Sequence, residues 1–219
     1  MNRAMYICLE GTEGVGKTTQ TQKLVDYLRV KGFKVLQTKE PGTSHLPLTM
    51  QLRGIMLDKQ YDEQLTPVAR ELISQAIRSI HIEKLIIPAL TQYDYIIQDR
   101  GILSGLAYGT SCGNNSDDLR FLATIVTDPA HGKLKPSFYD SIIYLKGDTS
   151  VGLQKALEAK QEFAAGDAME AKGNSFLQSV SSNMDEMSKS FNTIEVPVDG
   201  KNIEEVFSEI LRALNLGDN

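Results

Sequence analysis

The chain has 219 residues, 41% hydrophobic and 23% charged, with a formal net charge of −5. That composition suits a globular protein with a sizeable core, and the acidic balance argues against non-specific nucleic-acid binding. Two cysteines, Cys8 and Cys112, give neither a disulfide framework nor metal-ligand spacing, no apolar run is long enough to span a membrane, and the N-terminus does not resemble a leader, so a cytoplasmic setting is expected.

Strand-like and helix-like segments alternate along the chain. "AMYICLE" (4–10) is a short apolar run suited to a buried strand, and "TTQTQKLVDYLRV" (18–30) follows with Leu24, Val25 and Leu28 at helical spacing. "FKVLQTKEPG" (33–42) reads as a second strand ending in a turn. "LTPVARELISQAIRSIHIEKLIIPAL" (65–90) reads as a long helix with Leu72, Ala76, Ile80 and Lys84 marking one face. Pro67 stands just inside its start, and Pro88 bends or ends it. "YDYIIQ" (93–98), "YDSIIYLKG" (139–147) and "FNTIEVPVD" (191–199) supply strands three to five. Between the last two lie helices at 150–163 and 168–191, and the chain closes on an amphipathic helix carrying Ile203, Val206, Phe207, Ile210, Leu211 and Leu214. Strands separated by helices predict one α/β domain over 1–219: a five-stranded parallel sheet covered on both faces. The stripe Met169, Phe176, Val180, Met187, Phe191 is expected to pack on the core, and a helical insertion about 150–175 also suits a lid.

The strongest motif is "EGTEGVGKTTQ" (10–20), which fills G-x-x-x-x-G-K-[ST] with Gly11, Gly16, Lys17 and Thr18 between a predicted strand and a predicted helix. Glycines let successive backbone N–H groups turn inward around a phosphate chain at a helix N-terminus. Gly11, Glu13, Gly14, Val15, Gly16, Lys17, Thr18 and Thr19 therefore form the candidate ATP site, with Lys17 on the β- and γ-phosphates and Thr18 on Mg²⁺. "IIQDRG" places Asp99 and Arg100 at the C-terminal end of strand three, where open α/β sheets bind ligands. A carboxylate there suits Mg²⁺ and a guanidinium suits a phosphate, although a plain salt-bridge pair would look the same. "KEPGT" puts Glu40 at the end of strand two, Arg53 follows in "MQLRGIML", and Arg78 falls mid-helix in "SQAIRSIH".

These segments resemble the thymidylate kinase family, within the nucleoside monophosphate kinases. "YICLEGTEGVGKTTQ" is similar to that family's opening segment, "KEPGT" to E-P-G-G-T one glycine short, and "DRGILSGLAYG" to D-R-Y-x-x-S-x-x-A-Y-Q. "LKPSFYDSIIYL" and "VDGKNIEEVFSEI" extend the likeness over nearly the whole chain. The resemblance implies a P-loop kinase fold and phosphoryl transfer from Mg·ATP to a deoxynucleoside monophosphate, dTMP to dTDP or a related deoxypyrimidine nucleotide. It implies that Arg53 and Arg100 hold the acceptor's phosphate, that Arg78 faces its base, and that Tyr108 packs on the sugar and disfavours ribose. Glu40, Ser74, Ser104 and Gly105 complete the expected acceptor site, Asp99 helps organise the metal, and a homodimer is expected.

Departures fall in functional places. Ser74 replaces the aromatic that stacks on thymine, and Gly101, Gly105 and Gly109 replace larger residues, which predicts a widened base pocket. In "GDAMEAKG", Ala168 stands where a lid arginine is expected. Among Lys155, Lys160 and Lys172, Lys155 is the candidate replacement catalytic cation. The competing expectation is a catalytically impaired nucleotide-binding sensor of the same fold.

Overall fold

The computed structural model describes residues 3–127, 138–148 and 167–217. In chain order the elements are β1 (Met5–Gly11), α1 (Lys17–Val30), β2 (Val35–Lys39), α2 (Pro47–Leu57), α3 (Pro67–His81), β3 (Tyr95–Asp99), α4 (Ile102–Ser111), α5 (Ser116–Thr127), β4 (Ser141–Lys146), α6 (Asn174–Ser188), β5 (Ile194–Pro197) and α7 (Ile203–Ala213). The five strands form one parallel sheet in the order β2-β3-β1-β4-β5. Side chains alternate across it. Tyr6, Cys8, Ile96 and Ile142 point to a core completed by Leu103 and Leu106 of α4, Leu119 of α5 and Val180 of α6. Ile7, Leu9, Ile97 and Ile143 point to the opposite core, against Leu24 and Leu28 of α1 and Ile210 of α7. Both faces are covered, so the strands read as nearly unbroken apolar runs. Leu9 of β1 and Lys39 of β2 both register with Asp99 of β3. The loops leaving these three strands therefore open on one edge.

α3 differs from its periodicity. Leu72 is 52% exposed, and Ala76 and Lys84 also face outward. The buried residues are Arg70, Glu71, Gln75, Ile77, Arg78 and His81. The face turned to the protein is largely polar because it walls a cleft rather than the core. Beyond His81 the chain widens into a π turn (Ile82–Ile86) and then a short helical turn (Ile87–Ala89). Pro88 offers no N–H to the preceding turn and its ring crowds that turn's carbonyl, which a wider turn relieves.

Two helices have no counterpart in the periodicity. α2 buries only Thr49 and Met56 while Leu48 and Ile55 face outward, so its apolar pattern does not mark a core. α5 starts where the Asn115 side chain accepts from the N–H groups of Asp117 and Asp118 at 2.9 and 3.2 Å. The 168–191 segment is split at Gly173, whose φ is 82°, into a 3₁₀ turn (Glu170–Lys172) and α6. Met169, Val180, Met187 and Phe191 are buried, as the stripe predicts. The expected helix at 150–163, with Lys155 and Lys160, lies outside the described residues.

Candidate functional site

The loop after β1 turns through Gly11, Gly14 and Gly16, with φ of 149°, 73° and 91°, values that favour glycine. Gly16 caps α1, so the helix's unpaired N–H groups open into the loop. Val15 is buried beneath the loop, leaving only its backbone for a ligand, and Thr19 is exposed on the first turn of α1. Lys17 is buried and its ammonium donates to the Thr12 carbonyl. Burial lowers it from its ordinary 10.5 to about 7; Arg100 adds to the effect, while Glu13, Asp99 and Glu10 oppose it. A cation so poorly solvated gains a great deal when phosphate oxygens arrive.

At the edge of this loop Thr18 Oγ1 donates to Asp99 Oδ2 at 2.7 Å. The other carboxylate oxygen of Asp99, Oδ1, is buried and has no hydrogen-bond partner among the described residues. A buried carboxylate oxygen lacking a donor is costly and suits a cation. No group of three or more His, Cys, Asp and Glu among the described residues makes a metal cage. One hydroxyl and one carboxylate are oxygen donors that would suit a hard cation such as Mg²⁺.

Arg100 follows β3 in the left-handed region, φ 64°, an uncommon place for a non-glycine residue. Its backbone N–H is held by the Leu9 carbonyl at 2.9 Å. The guanidinium then reaches two ways. Nη1 donates to the Gly11 carbonyl at 3.0 Å and to Ser104 Oγ at 3.1 Å, and Nη2 lies 2.5 Å from Glu13 Oε1. Burial disfavours its charge, but Glu13 and other acidic neighbours hold it above the usual arginine range. Its carbon centre lies 5.6 Å from the Tyr108 ring centroid, and Tyr108 Oη donates to Glu13 Oε1 at 3.3 Å. Burial pushes the Tyr108 phenol up to about 12, with Arg100 opposing.

Glu10, buried at the end of β1, accepts from the N–H groups of Leu103 and Ser104 at 3.0 and 3.2 Å and from the Ser104 hydroxyl. It caps α4 from a neighbouring strand, because Gly101 at the cap position has no side chain to do so. Burial raises its carboxyl, and the bonds from Ser104 counter that.

A cleft open to solvent runs from Arg100 between α3, α4 and the end of α2. Arg53 lines it, donating to the Pro41 carbonyl at 2.8 Å; burial lowers its pKa while Asp167 opposes. Glu40 sits under Arg78, accepting from Nε at 3.0 Å, and its other oxygen meets His81 Nδ1 at 3.1 Å. His81 Nε2 is 2.8 Å from Thr38 Oγ1. Burial would raise the Glu40 carboxyl, but Arg78 outweighs it and the group falls to about 2. The Arg78 guanidinium lies over Gly105, so that glycine houses the arginine rather than enlarging the base end.

Expected residues thus fall into two groups on one edge: Lys17, Thr18, Asp99 and Arg100 around the loop, and Glu40, Arg53, Ser74, Arg78, Arg100, Ser104, Gly105 and Tyr108 around the cleft. Lys155 lies outside the described residues. Ala168 is buried, its N–H bonded to the Leu57 carbonyl at 3.0 Å, and Lys172 reaches Asp62 at 3.6 Å instead of the loop. Glu10, Glu71 and Gln75 escaped the sequence. The one signal for the last two is their i, i+4, i+7 spacing with Arg78, a polar stripe opposite the apolar one.

The profile of the thymidylate kinase family matches residues 9–210. A thymidylate kinase of Vibrio vulnificus (strain YJ016) is 32% identical over 217 residues, covering 99% of this chain and 97% of its own. One from Finegoldia magna is 29% identical over 211 residues, covering 96% and 97%. The Geotalea daltonii thymidylate kinase is 38% identical over 162 residues, covering 74% and 71%. The crystal structure of a thymidylate kinase from Ehrlichia chaffeensis shares the fold, with a TM-score of 0.70 and 23% identity over 97% of this chain and 99% of that one.

Proposed function

The chain belongs to the thymidylate kinase family, and on that basis we propose that it transfers the γ-phosphoryl group of ATP to a deoxynucleoside monophosphate, converting dTMP to dTDP. One observation carries the assignment to this site: a single guanidinium, Arg100, bonds both the phosphate loop at Gly11 and the acceptor cleft at Ser104. Donor and acceptor phosphates are thereby brought to the same cation. The acceptor's phosphate oxygen is already anionic near neutral pH, so in-line attack needs no strong general base. Lys17 and Arg100 offset the charge that develops on the transferring group. Arg53 holds the acceptor phosphate, and Arg78, fixed by Glu40, faces the base. Tyr108 packs on the sugar. Mg²⁺, where this chemistry uses it, would be held by Thr18 and Asp99 and supplies charge neutralisation between the phosphates.

The intact Lys17, Thr18, Asp99 and Arg100 set opposes a catalytically impaired sensor, and no feature of the described residues favours one. The test is ADP release from Mg·ATP against dTMP, dUMP, dCMP, dGMP and dAMP, with Lys17→Ala as the blank. Acceptor-dependent turnover is expected; ATP binding without turnover on any acceptor overturns the assignment. We also propose a cytoplasmic homodimer: outward-facing Leu48, Val68, Leu72 and Phe121 leave apolar surface for a second copy, and no described helix is long and apolar enough to cross a membrane. Sedimentation at a monomer mass would refute the dimer.

A further inference from the structure

Gln98 is a polar residue in an apolar place. It is fully buried in β3, the strand between β2 and β1, on the face that otherwise carries Tyr6, Cys8 and Ile96. A buried amide is costly unless its polar atoms are partnered. Here they are. Nε2 donates to the Arg100 carbonyl at 2.7 Å and to Tyr139 Oη at 3.3 Å, and Oε1 accepts from the Tyr6 hydroxyl. A backbone carbonyl only accepts, so the amide nitrogen must face Arg100 and the amide oxygen Tyr6. The two tyrosine rings pack together with centroids 4.6 Å apart, and burial raises both phenols well above their ordinary value, so both stay protonated at neutral pH.

The bond to Arg100 falls where the backbone is least at ease. Arg100 has φ 64°, a conformation that a Cβ disfavours and that persists only where the surroundings hold it. Its N–H is bonded to the Leu9 carbonyl at 2.9 Å, and its own carbonyl is held by Gln98 Nε2. The peptide units on either side of the Arg100 Cα are therefore both pinned, and the guanidinium leaves the chain in a set direction. A Cβ on Gly101 would fall 3.0 Å from Gln98 Nε2 and 2.9 Å from Cys8 Sγ, and closer still to Tyr139 Oη. Gly101 thus makes room for this network rather than for a base.

We propose that Gln98 is a positioning residue of the acceptor site: clamped by Tyr6 and Tyr139, its amide holds the Arg100 carbonyl and so keeps the guanidinium aimed where the phosphate of a nucleoside monophosphate binds. The proposal rests on the kinase assignment above. Gln98 is sealed from the cleft and acts through Arg100.

The test is a double-mutant cycle between Gln98→Met, which keeps the side chain's length but loses the amide, and Arg100→Ala. It is read by steady-state kinetics with dTMP and Mg·ATP and by calorimetric binding of dTMP. Gln98→Met should raise the dTMP KM about tenfold and leave the ATP KM within about twofold, because it is the acceptor that a misdirected guanidinium loses. In the Arg100→Ala background the same substitution should move the dTMP KM by less than about twofold. A merely structural loss would raise both KM values and add in full to Arg100→Ala; that result, or a dTMP KM unchanged in Gln98→Met, overturns the proposal. If the methionine variant does not fold, Gln98→Asn decides on the same criteria, since its amide stops one methylene short of the Arg100 carbonyl. Binding of dTMP that weakens through Arg100 without turnover would overturn the kinase assignment and leave the positioning role standing.

Discussion

A Cβ on Gly105 would fall 2.3 Å from Nη2 of Arg78. The guanidinium occupies the space that any other residue at 105 would claim, while Glu40 holds its Nε from below. Gly105→Ala should therefore push Arg78 off Glu40 and raise the acceptor KM about tenfold, with the ATP KM little changed. Steady-state kinetics with each substrate varied in turn distinguishes this from a general loss of fold, which would move both.

The Glu40 carboxyl titrates at about 2 in the folded chain, against an ordinary 4.5. Its pKa is depressed, so its contribution is fully present above the unfolded value and is lost as pH falls from about 4.5 through 2. At roughly 1.4 kcal/mol per pH unit, this amounts to about 3 kcal/mol. Thermal melts followed by far-UV circular dichroism should show a steep acid limb in that window. Glu40→Gln should start less stable at pH 7 and show a flatter limb.

Lys17 titrates near 7 before phosphates arrive. Polyphosphate oxygens should restore its charge, so ATP binding at pH 8 should take up close to one proton. At pH 6 Lys17 is already protonated, and uptake through it should vanish. Calorimetry in two buffers of different ionisation enthalpy reads this directly, and Lys17→Ala should abolish the pH 8 uptake while lowering kcat by roughly 10²–10³. Equal uptake at both pH values would mean another group titrates.

Arg100→Ala removes the cation common to loop and cleft. Truncating one partner of a buried charge pair costs about 2–5 kcal/mol. The acceptor KM should rise about a hundredfold, well beyond the rise for ATP. Tyr108→Ala should erode the preference for deoxyribose, measured as the ratio of dTMP to its ribo counterpart, because the ring stacked by Arg100 would no longer crowd the sugar.

The phosphate loop was legible because its glycines, lysine and threonine sit between a run of buried-strand residues and an amphipathic helix, so local chemistry and periodicity agree. The five strands were legible for the same reason: a sheet covered on both faces writes itself as short apolar runs such as Ile96–Ile97 and Ile142–Ile143. α3 was readable as a helix but not as a wall. Its apolar residues at 72 and 76 point outward, and its protein-facing side carries Arg70, Glu71, Gln75 and Arg78 because it borders a cleft rather than the core. Gly105 reads as an opening in the sequence; only the fold shows that an arginine from another helix fills it. Glu71 and Gln75 look like any solvated helix pair until α4 closes over them.

Glu10 has a wider consequence. By gripping the first turn of α4 from the end of β1, it joins the strand that leads into the glycine loop to the helix that walls the cleft. Thermal drift of one must drag the other along. The spacing between that loop and that helix is thus ruled by a fixed gauge, set in the core before any nucleotide arrives.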